Sequence, residues 1–255
     1  MGSSRIRFVL GVYSLKTPCM QVELTKGKIL EPTLHPRVKV CCIGSMSEAR
    51  MALRHGADAL GLVAKMPSGP GVISDSLITE IASITPPSIG SFLLTSETDA
   101  DAIIELQQRC GVNTVQIVDR LERGSYRDLR LALPGVALVQ VIHVTGHESI
   151  DEACRVAESG VDALLLDSGD QRLPVKLLGG TGRTHDWSIS RSIRELVEVP
   201  LFLAGGLSSE NVARAIDEVQ PFGLDVCSGL RSHGKLDESK LTLFMSKVRN
   251  ASQSA

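Results

Sequence analysis

Val38-Lys-Val-Cys-Cys-Ile-Gly-Ser-Met-Ser-Glu-Ala-Arg-Met-Ala-Leu-Arg-His-Gly56 is the stretch that decides the architecture. It opens on a short apolar run of the kind that forms a strand. It continues as an amphipathic segment in which Ser47 is placed to cap a helix and Gly56 to stop it. The turn between them, Cys42-Ile-Gly-Ser45, lacks the Gly-x-Gly-x-x-Gly that an open dinucleotide-binding sheet carries after its first strand. A strand–helix unit without that turn favours a closed barrel over a doubly wound sheet.

Working outward, the same alternation recurs. Apolar runs at Ala59–Ala64, Ile89–Thr95, Thr114–Val118, Ala137–Val144, Ala163–Asp167, Leu201–Ala204 and Leu224–Cys227 join Val38–Cys42 as strand candidates. Few polar residues interrupt them, as expected of parallel strands buried on both faces. Amphipathic segments at Thr98–Cys110, Glu148–Gly160, Ser209–Val219 and Glu238–Val248 lie between or after them. Eight strand–helix units in about 215 residues suit an α/β chain folded as a (β/α)8 TIM barrel. The expected organisation is an N-terminal extension over residues 1–36, one barrel over 37–250 and a frayed tail at 251–255.

The chain has 255 residues, 43% apolar and 22% charged, which excludes wholesale disorder. Its formal charge of -2 and 3% aromatic content argue against a nucleic-acid or anionic-membrane binder. The six cysteines form no Cys-x-x-Cys pair and no zinc spacing, so a reducing cytoplasm is the natural setting. No apolar run approaches the roughly 20 residues of a membrane span. Arg5 to Tyr13 is a poor signal peptide, with an apolar region at the short end and no cleavage site after it.

Barrel enzymes work at the C-terminal ends of their strands. There the glycine turns Leu203-Ala-Gly-Gly-Leu-Ser208 and Val226-Cys-Ser-Gly-Leu230 follow strands seven and eight, where many barrels bind phosphate. Gly205, Gly206, Ser228 and Gly229 are therefore candidate phosphate ligands through their backbone amides, against the plainer reading of two ordinary turns. Asp167 ends an apolar strand, where a carboxyl is placed either for proton transfer or as a turn cap. Cys41 reads as a small core residue or as a base. Period-two alternation puts it on one face with Lys39, and puts Asp225 with Cys227 on the strand that closes beside it, so Lys39 is expected to pair with Asp225.

Five segments taken together resemble the phosphoribosylanthranilate isomerase family of tryptophan biosynthesis: Val38–Cys42, Ala163–Asp167, Gly179-Gly-Thr-Gly-Arg-Thr-His-Asp-Trp187, Leu203–Val212 and Gly223–Gly229. They stand in that family's order and span roughly Val38 to Val248. The resemblance implies a ribulose-phosphate-binding type of barrel. It implies an aldose-to-ketose (Amadori) rearrangement in which Asp167 is the general acid and Cys41 the general base. It places Gly182 and Arg183 with Gly71 among substrate-binding positions, and it implies no metal or organic cofactor. The implied partner is a small phosphorylated sugar-type substrate, bound by a monomer or homodimer.

Three positions depart from the family pattern. Gly71 stands where the family's Arg engages the aryl carboxylate, Cys42 stands where a glycine follows the catalytic cysteine, and strand four ends Gln116-Ile-Val-Asp119. Arg183, Lys65 and Arg231 are candidate substitutes for the missing Arg. Gly71→Arg is expected to raise efficiency at least about tenfold, provided the backbone there accepts a side chain. Alternatives to the family reaction are a sister isomerase acting on another phosphosugar and a non-catalytic phosphometabolite-binding barrel.

Overall fold

Valine, isoleucine and leucine at alternate positions build eight short strands, each followed by a helix that covers its outer face. The computed structural model describes residues 35–169 and 184–251. The strands are β1 (Arg37–Val40), β2 (Ala59–Val63), β3 (Gly90–Thr95), β4 (Thr114–Ile117), β5 (Ala137–His143), β6 (Ala163–Asp167), β7 (Leu201–Leu203) and β8 (Gly223–Val226). All pair in parallel with their sequence neighbours, and β8 closes on β1 with Lys39 opposite Asp225 and Val40 opposite Val226. The expected (β/α)8 barrel is therefore the observed fold.

The helices are α1 (Met46–Arg54), α2 (Asp75–Ile84), α3 (Ala100–Cys110), α4 (Tyr126–Ala132), α5 (Glu148–Glu158), α6 (Trp187–Leu196), α7 (Val212–Val219) and α8 (Glu238–Ala251). One capping expectation is corrected. Ser45, not Ser47, caps α1: its backbone is extended, and its hydroxyl accepts from Glu48 N at 3.2 Å. Ser47 lies one residue inside the helix, its hydroxyl bonded to that of Ser45 at 2.8 Å.

Period two divides the core in two. Residues on one face of each strand fill the barrel, with Phe92 and Phe202 meeting edge to face at 5.8 Å. The opposite faces pack beneath the helices. β1 ends two residues and β8 one residue earlier than the apolar runs suggest, so Cys41, Cys42 and Cys227 sit in the connections at the barrel mouth. A 3-10 turn (Ser228–Leu230) and a small hairpin, β9 (Arg231–Ser232) with β10 (Lys235–Leu236), follow β8. Ser228 and Gly229, two of the residues expected to hold phosphate, thus lie within an extra helical turn, the usual place for a phosphate in such barrels.

Candidate active site

The strand alternation that fills the barrel also turns Cys41, Gln116, Asp167 and Asp225 toward one mouth. They line a cavity of about 670 Å³, counted with its opening, together with Gly205, Gly206 and Ser228. Cys41 and Asp167 thus share one space with most of the glycine-turn residues. Gly229 packs so closely that a Cβ there would stand 2.1 Å from the Leu207 carbonyl oxygen.

At the base of this space Lys39 is fully buried. Its ammonium donates to Asp225 Oδ1 at 2.8 Å and to Cys41 Sγ at 3.4 Å, and lies 5.3 Å from the Phe92 ring centre. The pairing expected from strand order is present. Burial works against the lysine's charge, but Asp225 and then the Cys41 sulfur outweigh it and hold its pKa above the ordinary value. A permanent cation therefore stands beside the sulfur. Gly61 on β2 makes the arrangement possible, because a Cβ there would fall 2.7 Å from Cys41 Sγ and 3.0 Å from Lys39 Nζ.

Across the barrel, Asp167 Oδ1 accepts from Ser168 N at 2.7 Å, which fixes the carboxyl at the end of β6. The β7 turn is braced by Asn211, which donates to the Gly206 carbonyl and accepts from Ser208 N, both at 2.9 Å. Gly205 and Gly206 have positive φ, 83° and 62°, so the turn presents its backbone rather than side chains.

Two of the three departures, Cys42 and Gly71, form one unit. Cys42 has a left-handed backbone at φ 59°, and Gly71 has φ 81°. A Cβ on Gly71 would lie 2.5 Å from Cys42 Cβ and 2.9 Å from its Cα. The conditional expectation for Gly71→Arg is therefore corrected: the backbone does not accept a side chain there while Cys42 is present.

Of the proposed substitutes for the missing Arg, Arg231 is already committed. Its guanidinium pairs with Glu48 at 3.1 Å and donates to the carbonyls of Cys41, Cys42 and Gly234. Burial works against the Glu48 carboxylate, but Arg231 and the amides of Leu236 and Gly44 hold its pKa below the ordinary range. Lys65 is exposed, on the loop whose Met66, Gly69 and Pro70 rim the cavity. Gly182 and Arg183 lie outside the described residues.

Gln116, named from the sequence only as part of the departing end of strand four, also belongs to this site. Its Oε1 is buried with no hydrogen-bond partner among the described residues, and the residue lines the cavity. Period two from Thr114 and Val118 was the available signal. Asp119 and Thr145, also at strand ends, bond locally to Arg120 N and to Glu148.

Comparison with known proteins agrees with this geometry. The family described as N-(5'phosphoribosyl)anthranilate (PRA) isomerase matches residues 38–247. The chain is 39% identical over 216 residues to N-(5'-phosphoribosyl)anthranilate isomerase 2 of Methanosarcina mazei, covering 84% of this chain and 94% of that protein. It is 33% identical over 214 residues to the isomerase of Methanocella arvoryzae, covering 84% and 98%. Among solved structures, phosphoribosyl anthranilate isomerase of Thermotoga maritima superposes with a TM-score of 0.71 at 28% identity, covering 84% of this chain and 99% of that one. A structure of a phosphoribosyl anthranilate isomerase at 26% identity and a TM-score of 0.69, covering 84% of this chain and 99% of that one, holds reduced 1-(o-carboxyphenylamino)-1-deoxyribulose 5-phosphate.

Proposed function

The chain belongs to the N-(5'-phosphoribosyl)anthranilate isomerase family, and we propose on that premise that its barrel mouth performs the aldose-to-ketose rearrangement through Asp167 and Cys41. The observation that carries the reading is that Cys41, Asp167 and the Gly205, Gly206 and Ser228 turns line one cavity.

The turns hold the substrate phosphate by backbone amides and set the sugar between acid and base. Asp167 donates its proton to the ribose ring oxygen, and the C1′–O bond opens to a protonated imine. Cys41, as thiolate, removes the C2′ proton, and those electrons flow to the imine and give an enolamine. Tautomerisation then places the ketone at C2′ and a new proton at C1′. Positioned acids and bases of this kind contribute about 10² to 10⁴-fold each. Lys39 supports the step by facing Sγ with a fixed positive charge, and Asp225 holds Lys39 in place.

Complementation of a tryptophan auxotroph lacking this isomerase tests the reading, with growth expected. A second reading, isomerisation of a phosphosugar that lacks an aryl carboxylate, is favoured by the side-chain-free position at Gly71. Failed complementation by soluble protein, together with turnover of such a sugar, would favour it. A cytoplasmic setting, with the thiols reduced, suits either reaction.

A further inference from the structure

The proposed chemistry uses one thiol, yet three cysteines meet at the cavity: Cys41, Cys42 and Cys227. Cys41 N donates to the Val226 carbonyl at 2.9 Å, so Cys42 and Cys227 leave adjacent strands side by side at the barrel mouth. The backbone is shaped around Cys42. A residue with a side chain at φ 59° is strained relative to glycine. Gly71 meanwhile has no side chain in the place where its Cβ would strike Cys42. Strain of this sort collects at sites where the side chain has work to do.

We propose that Cys42 and Cys227 form a modification site, a dithiol that a hydroperoxide converts reversibly to a disulfide. Their settings divide the labour. Cys227 is the half-exposed member. A hydrogen bond from Cys42 and the nearby Arg231 guanidinium hold its thiol below the ordinary range, which favours the nucleophilic thiolate. Cys42 is buried, and its thiol is pushed up by its contacts with Cys227 and Cys41 and by burial, so it stays protonated as a resolving partner.

In the first step the Cys227 thiolate attacks the peroxide. An S–O bond forms, the O–O bond breaks, and hydroxide (or alkoxide) leaves with the electron pair. Arg231 Nε, buried with no hydrogen-bond partner among the described residues, is a donor for the new sulfenate oxygen. In the second step Cys42 sulfur attacks the sulfenic sulfur. The S–S bond forms, the S–O bond breaks, and the Cys42 proton leaves with the departing hydroxyl as water. The peroxide is reduced and two thiols are oxidised, and a dithiol reductant reverses the change.

The link would join the residue after Cys41 to the residue before Ser228, pulling on the proposed base and the proposed phosphate turn together. A displacement of about 1 Å in such a site lowers turnover on the order of 10²-fold. That loss of activity rests on the functional reading above, whereas the disulfide itself does not.

The test treats reduced full-length protein with a small excess of hydrogen peroxide. Intact mass, fragment ions of the linked peptides and turnover are read before and after dithiothreitol. The expected result is loss of two hydrogens, with fragments joining Cys227 to Cys42 rather than to Cys41. Turnover should fall on the order of 10²-fold and return on reduction. Cys42→Gly, which suits the local backbone, should form no disulfide and leave Cys227 to irreversible sulfinic acid. A bond to Cys41, free Cys42 and Cys227 thiols after inactivation, or an unchanged mass would each overturn the proposal. A Cys42–Cys227 bond in a protein that turns over no phosphoribosylanthranilate would keep the thiol site and count against the functional reading alone.

Discussion

Gly71→Arg puts a side chain where two separate obstacles meet. The left-handed backbone at φ 81° disfavours any residue with a Cβ by about 1–2 kcal/mol. The Cβ would also stand 2.5 Å from Cys42 Cβ, and forced overpacking of a buried site adds about 1–3 kcal/mol. The single variant should therefore lose about 2–5 kcal/mol, or ~4–20 °C of melting temperature at about 2–4 °C per kcal/mol for a domain of this size. Cys42→Gly should be close to neutral, because relief of strain at φ 59° offsets the loss of a small buried side chain. Combined with Gly71→Arg it removes the collision and leaves only the arginine's own backbone strain. The cycle should show a favourable coupling of about 1–3 kcal/mol, within the range seen for residues in contact. If the new guanidinium reaches an aryl carboxylate, the double variant should also gain about tenfold or more in kcat/KM over Cys42→Gly. Thermal unfolding of the four proteins, with steady-state kinetics beside it, completes the assay. Additive effects, or a Gly71→Arg protein as stable as wild type, would refute the claim that the two positions form one unit.

Three further outcomes follow from the site. Lys39→Met should destabilise the fold by about 3–5 kcal/mol by stranding a buried carboxylate at Asp225, while Lys39→Met/Asp225→Leu should regain most of that stability without regaining turnover; a double variant no more stable than Lys39→Met would contradict it. Glu48 is held below its ordinary range, so its contribution is present above about pH 4.3 and is lost as pH falls through the lower folded value. Glu48→Gln should accordingly be less stable at neutral pH and lose less on acidification, and parallel pH–stability curves for the two proteins would sink the idea. Inorganic phosphate should raise the melting temperature of wild type by mass action, and Gly206→Asp should abolish that shift by placing a carboxylate at the turn; an intact shift would put the anion elsewhere.

The barrel was legible because its cues are local and repeated. Eight apolar runs of strand length, each followed by a helix or a glycine turn, left little room for another topology, and β6 began and ended where the run Ala163–Asp167 did. Lys39 and Asp225 were legible for a similar reason, since alternation and closure of strand eight beside strand one place them together. The helices α2, α4 and α6 escaped notice; α4 spans only seven residues, too few to show a clear amphipathic period. The lock between Cys42 and Gly71 escaped it too, because it joins the loops after β1 and β2 through two backbone conformations that neither local segment advertises. Which serine caps α1 was decided by Ser45's extended backbone rather than by residue type.

Removal of the C2′ proton by Cys41, after Asp167 has opened the ring, is the central step of the proposed reaction. N-(5'-phosphoribosyl)anthranilate carrying deuterium at C2′ tests this directly, with release of the label to water followed for wild type, Cys41→Ser and Asp167→Asn. Wild type should release the label as product forms, and each variant should do so slower by about 10²-fold or more. Label recovered at C1′ of the product, or release from either variant at the wild-type rate, would contradict it.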